Sequence, residues 1–248
     1  MQAKPYLKEI LFKREEVPSF NIYPFNLPLV SNLSSIKFDA DVTFIIGENG
    51  AGKSTLIEAI ALSLGFTIEG GSKNTQFSTH SNASALYNYF KTIKSYSKPR
   101  DYFFLRAESF YNVATFLEDA YPDRDNFVKQ YGVESLHECS HGESFLNLLS
   151  NRLRGKGLYI FDEPEAALSP NRQMSALSII HQLVERHSQF IIATHSPILL
   201  SYPNATIYEI DQGELRRTRY EDTQHFKITR DFLNNYRRHI DHILAEEE

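Results

Sequence analysis

Residues 36–65 read IKFDADVTFIIGENGAGKSTLIEAIALSLG, and three signals follow one another within them. Residues 36–46 end in a nearly continuous apolar run, the pattern of a buried strand. Gly47-Glu48-Asn49-Gly50-Ala51-Gly52-Lys53-Ser54 then fits the spacing GxxxxGK[ST] at every specified position. From 53 to 64, apolar residues recur at Ile57, Ile60, Ala61 and Leu64, one face of a helix, and Gly65 stands where a C-cap belongs. Strand, loop and helix are the context a phosphate-binding loop requires. Its glycines let the backbone curl until successive N–H groups converge on phosphate oxygens, and the helix adds the positive end of its dipole. The motif predicts that Lys53 reaches the β- and γ-phosphates of a nucleoside triphosphate. It also predicts that Ser54 offers a hydroxyl to Mg²⁺ and that Thr55 meets the α-phosphate.

A second acidic segment completes the reading. Leu158-Tyr159-Ile160-Phe161 is followed by Asp162 and Glu163. A buried parallel strand that ends in an acid delivers it to the carboxyl edge of the sheet, where the phosphate loop also lies. Asp162 is then the expected holder of Mg²⁺, directly or through a water, and Glu163 the expected general base toward the attacking water. Apolar strands ending in Asp-Glu are common; the phosphate loop earlier in the chain gives this one its meaning.

The rest of the chain fits around these two segments. Residues 5–12, 102–107, 158–161 and 190–193 read as strands, the last two as short apolar runs of the kind covered on both faces. Residues 17–35 and 66–100 read as loop or irregular structure. Helical spacing covers 108–138, broken near Pro122, and 143–153, with Phe145, Leu148, Leu149 and Leu153 on one face. A further helix enters through Ser169-Pro170 with Met174, Leu177, Ile180, His181 and Val184 in period. Residues 205–210 and 214–220 read as a hairpin. A last helix from Thr229 carries Phe232, Tyr236, Ile240 and Ile243 on one stripe. Strands alternating with helices predict an α/β class with a mostly parallel core sheet flanked by helices, and an antiparallel β part at the N-terminal end.

Composition narrows the class. A chain of 248 residues is long enough to bury its own core, and we expect one domain over 1–248 with a helical or irregular subregion at about 66–140. One cysteine, Cys139, excludes an intramolecular disulfide framework and a four-cysteine zinc site. The first residues carry charges where a leader would need its apolar stretch, and no run approaches the roughly 18 apolar residues of a membrane span. The expectation is a soluble, cytoplasmic protein without membrane insertion. Lys plus Arg total 26 against 31 for Asp plus Glu, so the chain, at −5, is not one that coats nucleic acid through overall charge.

At this point the residues resemble the ABC-type ATPases, within them the SMC, RecF and OLD branch, and closest the compact stand-alone ATPases of bacteria. GENGAGKST matches that branch's phosphate loop, DEPEAALSP (162–170) its acidic motif and following D-loop, and ATHSP (193–197) its switch-histidine strand. The resemblance implies a P-loop NTPase fold of ABC-ATPase type, ATP and Mg²⁺ as ligands, and ATP hydrolysis to ADP and phosphate. It makes His195 the switch residue that touches the γ-phosphate. Cys139-Ser140-His141-Gly142-Glu143-Ser144 takes the place of the signature motif. Ser140 and Gly142 would then cap the γ-phosphate of ATP held by a second copy, in an ATP-dependent head-to-tail homodimer. The same residues also read as a plain N-cap with Glu143 closing a capping box. Ser169 stands where many relatives carry the D-loop Asp. Gln76 is the candidate Q-loop glutamine by position.

The remaining features have plainer readings. Lys13, Arg14, Tyr23 and Phe25 are either adenine contacts or scaffold. Cys139 reads as a small buried residue. Arg152, Arg154 and Lys156 form either a phosphate-contacting cluster or a solvated face. His137 with His141, and His239 with His242, have helical spacing but lack the acid of a metalloprotease pattern. Residues 55–139 are too short and aperiodic for a coiled-coil arm. The macromolecular partner, nucleic acid or effector protein, is not legible, although the resemblance suggests DNA repair or defence. A transporter's nucleotide-binding subunit would be expected to carry a more regular signature and a clear Q-loop. A small-molecule P-loop kinase would be expected to carry an Arg-rich lid.

Overall fold

The computed structural model describes residues 5–68, 70–71, 84–120 and 123–245. Its first strand, β1 (Leu7–Phe12), is the centre of a small sheet. Residues 36–46 form two strands where the apolar run suggested one. β2 (Ser35–Lys37) pairs antiparallel with β1, and β3 (Val42–Gly47) belongs to a different sheet. The polar Asp39-Ala40-Asp41 between them contains a bend, and there the chain crosses from one sheet to the other. The segment before β2 contains a short helix, α1 (Pro28–Asn32), and the phosphate loop leads into α2 (Lys53–Ser63). Within the stretch expected to be irregular, β4 (Phe90–Lys94) pairs with the other side of β1. Its five residues bury Phe90 and expose Lys91 and Lys94, too short and too charged to read as a strand but suited to a sheet edge.

β5 (Asp101–Arg106) opens the main sheet. Helices α3 (Phe110–Ala120), α4 (Arg124–Tyr131) and α5 (His141–Asn147) follow it. Pro122, the expected break, lies outside the described residues. The helix expected over 143–153 is α5 continued by a wider π-type turn at Leu148–Arg152. β6 (Gly157–Asp162), α6 (Pro170–Glu185), β7 (Gln189–Ala193), α7 (Pro197–Leu200) and the hairpin β8 (Thr206–Asp211) and β9 (Glu214–Thr218) complete the order, ending in α8 (Gln224–Leu244). The main sheet runs β5-β6-β7-β3-β8-β9, parallel throughout except for β9.

Both faces of the central strands are covered, and β3, β6 and β7 are buried at every position. Phe44, Ile46, Phe161, Phe190 and Ile192 pack with the helices α3 to α6. Ile45, Ile160, Ile191 and Ala193, pointing the other way, pack with α2 and the small sheet. The two sheets are also tied by a fully buried amide. Gln189 Nε2 donates to the Leu7 carbonyl, and its Oε1 accepts from the Leu7 N–H, each at 2.9 Å.

Several side chains sit differently from the sequence expectation. The buried face of α6 is Ala176, Ile180, Leu183 and Val184, while Met174 is exposed. Cys139 is half-exposed, its thiol 3.6 Å from the Ser135 carbonyl. Arg152 belongs neither to a phosphate-contacting cluster nor to a solvated face. It is largely buried, bonded to Asp101 at 3.1 Å, and Asp101 also accepts from the Tyr159 hydroxyl at 2.9 Å. α8 begins before Thr229, where the Thr223 hydroxyl caps it by accepting from the Phe226 N–H, and it buries none of its residues. Among the described residues no helix is long and apolar enough to cross a membrane.

Candidate nucleotide site

The register of the main sheet assembles the site. Arg106 pairs with Asp162, Asp162 with Ala193, and Ala193 with Ile45. Four parallel strands therefore end together, and the residues at or just beyond their ends share one edge, the place where open α/β sheets bind ligands.

At the end of β3 the loop 47–54 turns into α2 through Gly52 at φ +95°, a conformation that a side chain would strain. Lys53 is the first residue of α2 and is 4% exposed. Its ammonium donates to the carbonyls of Gly47 and Glu48 at 2.9 and 2.8 Å, which holds it at the mouth of the loop. Burial pushes its pKa down, against the opposing pull of Glu163, Asp162 and Glu165. Ser54 Oγ donates to Asp162 Oδ1 at 3.3 Å, joining the loop to the acidic strand. Thr55 Oγ1 lies 3.3 Å from the hydroxyl of Tyr23. Tyr23 is exposed, whereas Phe25 is buried against Tyr89. Of the suggested base contacts, Tyr23 is the one that hydrogen-bonds to the first turn of α2, just after the loop. Lys13 pairs with Glu16 and Arg14 lies over Phe20.

Burial pushes the Asp162 carboxyl up to about 6, opposed by the Arg106 guanidinium. Arg106 stands between three carboxylates, 3.0 Å from Glu58, 3.6 Å from Glu108 and 3.7 Å from Asp162. A hydroxyl and a buried carboxylate, both hard oxygen donors, fit Mg²⁺, which takes one or two protein ligands and completes its shell from substrate phosphates and water. Among the described residues no three His, Cys, Asp or Glu side chains group to hold a metal by themselves.

Glu163 follows at φ +51°, a left-handed conformation rarely adopted by a residue with a side chain, and its N–H donates to the Ala193 carbonyl. Its carboxylate lies 3.5 Å from His195 Nε2. The peptide N–H of His195 donates to Glu165 Oε1 at 2.5 Å, and the Thr194 hydroxyl donates to Glu165 Oε2 at 2.7 Å. Glu165 thus fixes the turn after β7, although burial pushes its carboxyl up. His195 Nδ1 is 3.1 Å from Nε2 of His225 in the first turn of α8. A cleft of about 490 Å³ is lined by His195, by Gln224, His225 and Ile228 at the start of α8, and by Glu48 and Asn49 of the phosphate loop.

The structure brings Lys53, Ser54, Asp162, Glu163 and His195 together. Ser140 and Gly142 lie elsewhere. Ser140 Oγ bonds to Glu143 at 2.8 Å and to Arg172 at 3.0 Å, and the capping box is formed. A Cβ on Gly142 would meet the Ala167 carbonyl at 2.8 Å, so this helix start packs closely on the turn that follows Glu163. Gln76 lies outside the described residues. Arg106, Glu165 and His225 went unnoticed in the sequence. Arg106 closes an apolar strand just as Asp162 does, a signal that was available, whereas nothing local marks His225.

A family profile described as AAA domain matches residues 20–151, more than half of the chain. The chain belongs to the AAA-domain family. A second AAA-domain profile, whose description assigns it to the AbiEii toxin of a Type IV TA system, matches residues 124–201 of this AAA domain. A Bacillus cereus protein assigned as an ABC transporter ATP-binding protein is 23% identical over 205 residues, 76% of this chain and 36% of its own length. A Bacillus anthracis protein of the same assignment gives the same figures. The AAA domain thus spans little more than a third of these relatives. Among solved structures, CbiO1 of Clostridium perfringens, described as part of the ABC transporter complex cbiONQ, has a TM-score of 0.52 at 18% identity. The match covers 97% of this chain and 99% of that one, and shows a shared fold. The SMC head domain from Thermotoga maritima has a TM-score of 0.44 at 17% identity, over 87% of this chain and 99% of that one. Loop, acidic strand and family together make the chain an ATP-binding P-loop domain, with a fold shared with CbiO1.

Proposed function

We propose that this AAA domain hydrolyses ATP to ADP and phosphate, as one protomer of an ATP-dependent head-to-tail homodimer. The observation that carries the reading is the placement of the Glu163 carboxylate beside His195 at the edge that holds Lys53, Ser54 and Asp162. Lys53 opposes the charge of the β- and γ-phosphates. Ser54 and Asp162 would hold Mg²⁺, which neutralises phosphate charge when bound. Glu163 takes a proton from the attacking water, and His195 faces the γ-phosphate side. Such transfer depends on positioning and charge stabilisation more than on covalent chemistry. The whole chain 1–248 acts as one domain.

Ser140 and Gly142 act on the ATP of the second copy. In support, Ser140 is exposed and its bonds run to Glu143 and Arg172. Gln76 is the Q-loop residue of this reading. The cycle of closure and opening acts on a macromolecular partner, with DNA repair or defence as the field of action and the cytoplasm as the place. Light scattering on Glu163→Gln tests the core of it. A monomer that becomes a dimer only with Mg-ATP is expected; a protein that binds ATP and stays monomeric would remove the homodimer.

A second reading, the nucleotide-binding subunit of a membrane transporter, is favoured by the assignments of the Bacillus relatives. Co-purification with a membrane-spanning protein would bring it forward.

A further inference from the structure

We propose that His225 is a positioning residue that fixes the tautomer of His195, so that the His195 proton sits on Nε2 and points toward Glu163. His195 Nδ1 and His225 Nε2 are 3.1 Å apart, within hydrogen-bond distance. Two neutral imidazoles share a single proton across such a gap, so one ring donates and the other accepts. If His195 donated from Nδ1, its Nε2 would be a bare lone pair, buried and 3.5 Å from the Glu163 carboxylate. His225, accepting at Nε2, would then carry its own proton on Nδ1, an atom that is buried with no hydrogen-bond partner. That arrangement combines an orphaned N–H with a lone pair facing an anion.

The reverse arrangement removes both faults. His225 donates from Nε2 to His195 Nδ1, and the His195 proton moves to Nε2, where it faces the carboxylate. The His195 N–H then faces the anion at 3.5 Å, a favourable charge–dipole contact longer than a hydrogen bond, and His225 Nδ1 is left as a bare ring nitrogen. An unpaired acceptor is tolerated more readily than an unpaired N–H. Burial lowers the pKa of both rings, which favours their neutral forms; at His195 Lys53 lowers it further while Glu163 opposes the shift.

The surroundings hold the donor in place. His225 stands two residues after Thr223, a fully buried N-cap whose hydroxyl accepts from Phe226 and donates to the Tyr220 carbonyl. The opposite partner is fixed through its backbone by Glu165. The first turn of α8 therefore sets which nitrogen of His195 is available to the γ-phosphate side. This deepens the proposed role of His195 and rests on it for its catalytic meaning; the tautomer itself does not.

The test uses the full chain labelled with nitrogen-15 in histidine, with two-bond proton–nitrogen correlation spectra to read the tautomer. His195→Gln identifies the His195 signals by their loss. The wild-type chain is expected to show His195 protonated on Nε2, and His225→Gln, whose amide still donates, to keep that form. His225→Phe, of similar size without a donor, is expected to lose it. His225→Phe should also lower kcat by at least about tenfold with little change in KM, and His225→Gln should restore most of it. His195 protonated on Nδ1 in the wild-type chain would overturn the proposal, and so would an unchanged tautomer in His225→Phe. Should His225→Phe fail to fold, the wild-type and His225→Gln spectra still decide. Unreduced hydrolysis in His195→Gln would sink the switch role while leaving the tautomer result standing.

Discussion

Arg106 and Asp162 are register partners at the ends of two neighbouring parallel strands, with Arg106 Nε 3.7 Å from Asp162 Oδ2. The same guanidinium bonds Glu58 on α2 at 3.0 Å. One largely buried cation therefore ties the acidic strand to the helix that leaves the phosphate loop. Arg106→Leu is expected to leave two buried carboxylates uncompensated and to cost on the order of 2–4 kcal/mol. Urea unfolding measures this. A midpoint equal to wild type would show that the guanidinium is replaceable by solvent.

The same pair sets a pH dependence. The folded-state pKa of Asp162 is raised, from 3.8 to about 6. Between these values the native state holds a proton that the unfolded chain has released, so this group's contribution to stability is complete below about 3.8 and lost as pH rises through about 6. In Asp162→Asn the contribution does not titrate. In buffer free of divalent cations, the stability of Asp162→Asn relative to wild type should rise by roughly 2–3 kcal/mol between pH 4 and 7. A constant gap across that window would mean that Asp162 is not held neutral by burial.

Lys53→Ala removes the ammonium now held by the carbonyls of Gly47 and Glu48. ATP affinity, read by titration calorimetry, is expected to fall by at least about tenfold, the loss of one charge-assisted contact to phosphate. Undiminished affinity would take the phosphate loop out of its assigned role.

Much of this site was legible because its chemistry is local. The phosphate loop and Asp162-Glu163 each follow an apolar run directly and His195 follows one after a single residue, and a strand end needs no tertiary information to be read as one. Residues that act across the fold were not legible. His225 meets His195 only because α8 starts at Gln224, ahead of the apolar stripe that suggested Thr229. That stripe also misled in another way, since periodicity marks an amphipathic helix but not what covers it, and Phe232, Tyr236, Ile240 and Ile243 are exposed. β4 escaped because two of its five residues are exposed lysines. Arg152 looked like one of three surface cations, yet its ion pair is with Asp101, remote in sequence.

Gln189 gives a prediction about stability alone. Its amide satisfies both the N–H and the carbonyl of Leu7, where β1 meets the main sheet. Gln189→Leu keeps the volume and strands both backbone groups, and is expected to cost roughly 1–3 kcal/mol. ATP affinity should stay at the wild-type level, because the amide lies at the start of β7, away from His195 beyond its end. A large loss of affinity in a folded variant would show that the two sheets move together during binding.

Tyr23 offers the last test. Its ring is exposed and its hydroxyl lies 3.3 Å from Thr55 Oγ1, at the end of the loop assigned to the α-phosphate. An exposed ring beside the residue assigned to the α-phosphate is a candidate platform for the base, and base stacking on an aromatic face is worth about 1–3 kcal/mol. Tyr23→Ala should therefore weaken ATP by roughly tenfold or more. Tyr23→Phe should recover most of that loss, because the face and not the hydroxyl makes the contact. Inorganic tripolyphosphate, which has no base, should bind wild type and Tyr23→Ala alike. Equal weakening of ATP and tripolyphosphate would place Tyr23 as a support for the loop through Thr55, and the base would then have to be bound elsewhere.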